Sequence, residues 1–303
     1  MKKLFLVLTA LFMAKGSVVW AQSDKDLAIL QGQSLIVVLK DEEPAKLKKL
    51  AKKPSELANY KAFILDYNTQ IEQLAQQLWR FSPAVEFKHE SELPALLKEK
   101  AYQHGVLQHD NFTSIERISG AGPGGTIYMS EAKTAFLLGV ISQGTQRTIA
   151  QMPMAPGVVH TSDIILCLKA LQYELQGRAS GKTGKEQMMA MMQNGKRLRL
   201  KTLLLDEAEI SAKLSVDDIK QLYPFAYQVV PRETIEAAVK NSDPRYACVR
   251  IMPISTSSMV QVVMDIADGA ILVMSLPNSM SLKSGNVVDK NNLKEFAKAA
   301  GSK

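Results

Sequence analysis

Leu78-Trp79-Arg80-Phe81 and Leu222-Tyr223-Pro224-Phe225 share one design: a leucine, a large aromatic residue, a break and a phenylalanine. What flanks them decides the fold. Upstream of the first, Leu57, Tyr60, Ile64, Tyr67, Ile71, Leu74 and Leu78 recur every three or four residues over 54–79, the spacing of a helix with one buried face, with Ser55 near its start as a cap. Before that helix, Leu35-Ile36-Val37-Val38-Leu39 is a continuous apolar run, the pattern of a strand covered on both faces. Upstream of the second tetrapeptide, Leu203-Leu204-Leu205 reads as the matching strand, and Ser215 opens a short helix to Tyr223.

Downstream the two stretches continue alike. In the first, 85–88 reads as a strand, 91–100 as a helix and 102–108 as a strand. A glycine-rich turn, 120–125, leads into a strand at 126–130, 135–141 completes a hairpin, and a helix over 163–175 follows Ser162 as its cap. In the second, 228–230, 233–240 and 246–251 are strand, helix and strand. A hairpin of 260–266 and 270–276 turns at Ala267-Asp268-Gly269, and a helix over 290–300 is capped by Asp289. Residues match as well: Val85 with Val229; Leu93, Ala95, Leu97 and Lys98 with Ile235, Ala237, Val239 and Lys240; Ala135 and Leu137 with Ala270 and Leu272. The expected fold is therefore α/β (α+β), with two similar βαβαββα halves, each a mixed sheet packed by helices, arising by internal duplication and meeting at a pseudo-twofold surface. The first half occupies 22–176, a linker and Met-rich helix 177–200, and the second half 201–303.

The first 21 residues read as a cleavable signal peptide. Lys2 and Lys3 give the positive start, and Leu4 to Ala14 is an uncharged apolar run, shorter than the roughly 18–20 residues of a membrane span. Val19 and Ala21 supply the small residues of a cleavage site before Gln22, which is not a cysteine and so signals no lipid anchor. No later run reaches membrane-spanning length, so the expectation is a soluble periplasmic or secreted protein. The formal charge is +7, but Lys2, Lys3 and Lys15 would leave with the signal. The remaining basic clusters, at 46–53 and 196–201, contain few aromatics to stack on bases, so nucleic acid is not an expected partner. Cys167 and Cys248 both lie in apolar runs; export permits a disulfide between them, and burial as two thiols fits equally.

Candidate chemistry is sparse. Gly177 to Thr183 resembles a phosphate loop but has three residues between its glycines where four are needed, and it follows a helix instead of a strand. His104 and His109, beside Asp110, carry metal-ligand chemistry, but their odd spacing sends them to opposite faces of a strand. Met188, Met189, Met191 and Met192, with Met152 and Met154 upstream, offer soft thioether ligands for Cu(I), or an adaptable apolar helix face. Asp41 and Glu42 follow the first strand and Asp206 and Glu207 its counterpart, at carboxyl ends where open α/β sheets present ligand crevices. No nucleophile elbow, zinc-protease or Cys-x-x-Cys motif is present, so an enzyme is not the first expectation and no cofactor is implied. The composite reading is an exported binding or adaptor protein whose partner is an envelope protein or small ligand, engaged through a cleft or an exposed sheet edge. The alternatives are an acid/base hydrolase using Asp41, Glu42, Asp206 and Glu207, and a copper-binding protein using the methionines.

Overall fold

The computed structural model describes residues 24–119, 126–154, 159–182, 184–253, 259–275 and 287–301. The expected signal peptide and the glycine-rich 120–125 turn lie outside them. Helix α1 (Asp24–Gly32) precedes β1 (Leu35–Leu39), all five of whose side chains are buried. After α2 (Pro44–Leu50) comes the long α3 (Pro54–Leu78), which buries Tyr60, Ile64, Tyr67, Ile71 and Leu74, the stripe that the periodicity predicts. Pro54 opens α3, which leaves Ser55 inside its first turn and not at the cap. Then follow β2 (Val85–His89), α4 (Leu93–Lys98), β3 (His104–Ser119), β4 (Thr126–Ser142), β5 (Thr145–Met154) and α5 (Thr161–Ala179).

The second half repeats this order. A helix, α6 (Gly184–Asn194), and a 3-10 turn lead to β6 (Thr202–Asp206), α7 (Val216–Leu222), β7 (Tyr227–Val230), α8 (Arg232–Lys240), β8 (Tyr246–Pro253), β9 (Met259–Asp265), β10 (Ile271–Ser275) and α9 (Lys290–Ala299). The sheets run β2-β1-β3-β4-β5 and β7-β6-β8-β9-β10, with the first three strands of each parallel and the last two antiparallel. Two mixed sheets of identical topology, each packed by helices, are what an internal duplication produces.

Each sheet has five strands, the number that the expected elements of each half contain, so the repeated unit is written βαβαβββα and the formula βαβαββα counts one strand too few. In the first half, 126–130 and 135–141 are not the arms of a hairpin but parts of the single strand β4. Its turn is Gln143-Gly144, both at positive φ, where the chain reverses into β5. The register also refines the residue matches. Leu35 donates to the Ala84 carbonyl and Leu203 to that of Ala226, each at 2.9 Å, which sets Val85 against Tyr227 and not Val229. Leu107 pairs with Leu138 and Val249 with Val263, so β4 corresponds to β9, and the proposed match of Ala135 and Leu137 with Ala270 and Leu272 does not hold. Trp79 and Tyr223 do correspond: both follow the last turn of a helix and both are buried.

The halves do not meet across a pseudo-twofold. Helix α5 is apolar nearly all round and is covered on both sides, packing beside α3 of its own half and α8 of the other. On sheet two it meets the face carrying Leu204, Cys248, Met252, Val262 and Met264, which joins β1, α3 and α5 in one continuous core. The opposite face, with Leu203, Leu205, Val249 and Val263, packs against α7 and α9. In the first half, the face equivalent to the one that receives α5 carries Ile36, Val38, Val106 and Ile141 and is covered by α4. The contact is therefore head to tail: the helical layer of the first half lies on a sheet face of the second.

Polar groups fix α5 between its neighbours. The Asp163 carboxylate accepts from the His160 backbone N–H at 3.0 Å and pairs with Arg250 of β8. This Asp163 box caps the helix; Ser162, expected in that role, lies buried in its first turn. Further along, Lys169 Nζ donates to the Ile266 carbonyl at 2.7 Å, and Gln172 bonds the Leu78 carbonyl and the Arg80 N–H. Because the Asp163–Arg250 pair is almost wholly buried, Arg250→Met should cost roughly 3–5 kcal/mol by stranding a carboxylate. The Asp163→Leu/Arg250→Met double variant should regain all but about 1 kcal/mol, the helix cap it also loses. Urea denaturation of the three proteins measures this; a single Arg250→Met variant as stable as the parent would show that the pair is not desolvated.

Candidate functional site

Sheet topology places the carboxyl ends of β1 and β6 at corresponding rims, and the side chains there are engaged by their neighbours. Past β1, Asp41 accepts from the Ser91 N–H at 2.8 Å and lies 2.8 Å from His89 Nδ1. Partial burial pulls its carboxyl upward, but the Ser91 hydrogen bonds and His89 outweigh this and hold it below the usual carboxylate range. Glu42 is exposed and lies 3.4 Å from Lys61. Asn68 of α3 clamps the same rim, accepting from the Lys40 N–H at 2.9 Å and donating to the Lys40 carbonyl at 3.0 Å.

Past β6, buried Asp206 accepts from the Ala208 N–H at 3.0 Å and receives Arg232 at 3.3 Å. Arg232 also reaches Glu209 at 3.1 Å. Burial, and the nearby charge of Asp206, raise the Glu209 carboxyl against the opposing pull of Arg232. Glu207 is exposed. Asp41 and Asp206 thus belong to separate networks with no shared partner among those described. Glu209, held by the same Arg232 as Asp206, was passed over in the sequence reading because Asp206-Glu207 is the acidic pair nearer the strand.

The methionines separate into two groups. On α6, Met189 and Met192 are exposed, Met191 is half-buried, and the Met188 side chain lies outside the described ones. The helix itself lies against β10. Met152 and Met154, by contrast, are buried at the end of β5, where with Asp163, Cys167, Arg250, Met252 and Met264 they line a hollow of about 10 Å³ between the halves. Cys167 Sγ lies 3.2 Å from Met154 Sδ. Both cysteines are free thiols, buried, with their acidities weakened by burial. The sequence reading marked Met152 and Met154 but not their partners here, because the hollow draws its residues from β5, α5, β8 and β9, which meet only in the folded chain.

The histidines diverge as their spacing predicts. His104 stacks on Tyr102, with ring centroids 4.0 Å apart. His109 faces the other way and is buried between Tyr67 and Phe136, both its ring nitrogens without a hydrogen-bond partner. Among the described residues no three His, Cys, Asp or Glu side chains form a group that could hold a metal, and no helix is long and apolar enough to cross a membrane. Gly177 to Ala179 belong to the last turn of α5 and run into a turn, not out of a strand.

Burial first, and the nearby Lys40 charge second, lower the His109 pKa from 6.5 to about 4. The folded protein therefore keeps this ring neutral while the unfolded chain protonates it, so its contribution to stability is complete above pH 6.5 and is lost as pH falls towards 4. Urea unfolding between pH 8 and 4 should show a loss of up to about 3 kcal/mol from this group, and His109→Phe should flatten that part of the profile. An unchanged slope in the variant would remove His109 as its source. Compared with known proteins, the chain matches no family model, no curated protein and no solved structure, so its function has to be read from these groups themselves.

Proposed function

We propose that the chain acts outside the cytoplasm, after removal of residues 1–21, as a binding or adaptor protein that takes an extended segment of an envelope partner onto the ribbon formed by β3 and β4. One observation carries the reading. The β3–β4 pairing continues from Asn111↔Thr134 to Ser119↔Thr126, whereas β5 leaves β4 at Thr134↔Met154 and β1 leaves β3 at Leu107. The ribbon thus projects roughly 30 Å beyond the sheet, at about 3.4 Å per residue, and both of its backbone edges lack a neighbouring strand among the described residues. A two-stranded ribbon is marginal alone and gains from a third strand, and strand addition to such an edge is a common mode of peptide recognition.

The rim supports this reading over acid/base hydrolysis. Asp41 and Asp206 serve as helix caps and ion-pair partners in separate places, and a proton-transfer pair must share one substrate. The extracytoplasmic address rests on Lys2-Lys3, the apolar run to Ala14 and the Val19-Trp20-Ala21 cleavage signature.

Two tagged chains test the proposal in cells that process secretory signals: the full sequence, and a variant in which 112–133 is replaced by Asn-Gly to close the hairpin early. The expected result is a mature protein beginning at Gln22 in the envelope fraction, cross-linking to a defined partner. The shortened variant should keep its thermal stability within a few degrees and lose that partner. An unprocessed cytosolic chain, or the same partner recovered with the shortened variant, would overturn the proposal.

A further inference from the structure

The hollow between the halves has an unusual lining, because five of its ten lining residues carry sulfur, the others being Pro153, Leu166, Ile251 and the Asp163–Arg250 pair. Met152 and Met154 come from β5, Cys167 from α5, Met252 from β8 and Met264 from β9, and all five side chains are at least nine-tenths buried. Methionine is an adaptable filler that closes irregular gaps in cores, yet here four methionines leave about 10 Å³ open, near the least space one water-sized occupant needs. Two of the sulfurs, Cys167 Sγ and Met154 Sδ, already stand 3.2 Å apart. The two charged residues of the lining, Asp163 and Arg250, are paired with one another and so add no net charge to its soft donors.

We propose that this hollow binds one soft monovalent metal ion, Cu(I), through the Cys167 thiolate and thioether sulfurs drawn from Met154, Met152, Met252 and Met264.

Donor chemistry selects the ion. Thiolate and thioether ligands favour Cu(I), whereas magnesium, calcium and manganese favour oxygen. Charge selects it further: one thiolate with a monovalent ion leaves the buried site neutral, whereas a divalent ion would leave an uncompensated charge in an apolar interior. On binding, the Cys167 S–H bond breaks, its proton passes to solvent and a Cu–S bond forms. The copper enters and remains as Cu(I), so nothing is oxidised or reduced. The site joins the two halves, so occupancy should raise the melting temperature.

Anaerobic titration of the mature chain with Cu(I), in competition with a chromophoric Cu(I) chelator, tests this. The expected result is one ion per chain and a first coordination shell of sulfur alone by X-ray absorption. Cys167→Ser should weaken binding at least 100-fold, while the quadruple Met→Leu variant at 188, 189, 191 and 192 should bind as the parent does. If Cys167→Ser does not fold, the stoichiometry and the sulfur shell of the parent decide the matter. Absence of saturable binding, nitrogen or oxygen ligands in the shell, or binding that disappears with the α6 methionines would overturn the proposal.

Discussion

A helix that is apolar nearly all round has to be covered nearly all round, and α5 is such a helix. Ile164, Ile165, Leu166, Cys167, Leu168, Leu171 and Leu175 go around its circumference, and all are buried. Its own half can cover only the face towards α3 and β5. The remaining face needs another layer, and the second sheet supplies it with α8, Met252 and Met264. Burying these side chains stabilises the structure by about 1.5–3 kcal/mol each. The polar anchors Asp163–Arg250, Lys169 to Ile266 and Gln172 to Leu78 add little net energy by comparison, but they fix where along the helix each half sits.

This arrangement explains a difference between two otherwise matching halves. In the second half the face that receives α5 carries Arg250 and Met252 on β8 and Met264 on β9. The corresponding positions in the first half are Gln108, Asp110 and Gly139. Half-buried Gln108 bonds Gln146, and Asp110 is exposed. A helix like α5 would find there neither the methionine contacts nor a cation for its capping carboxylate, and α4 already covers the apolar part of the face. Head-to-tail contacts can propagate indefinitely when both ends remain complementary; here the polar substitutions close one end of the stack. Duplication supplied two copies of the unit, and divergence at these few positions made one of them a receiver.

Elements governed by local rules were legible in the sequence. The buried strand β1, the long stripe of α3, the Asp268-Gly269 turn with Gly269 at positive φ, and the Ser215 and Asp289 caps all follow from neighbours within a few residues. Strand β5 escaped because Thr145, Gln146, Arg147 and Thr148 look like a loop, and because Gln143-Gly144 lacks the asparagine or aspartate that usually announces such a turn. The way the halves meet was not legible, since it depends on Asp163 finding Arg250 and on α5 finding a second sheet. Of the singled-out side chains, the rim carboxylates lie at strand ends as expected, but what engages them could not be read: Ser91 and His89 for Asp41, Arg232 for Asp206. Met152 and Met154 were singled out, but their grouping with Cys167, Met252 and Met264 was not legible for the same reason, being assembled from four separate elements.

If α5 couples the halves as described, neither can unfold while the other remains native. Differential scanning calorimetry of residues 22–303 tests this most directly. A single transition is expected, with calorimetric and van't Hoff enthalpies equal and on the order of 200 kcal/mol. Two resolved transitions, each with about half that enthalpy, would contradict it and make the halves independent domains on a shared tether.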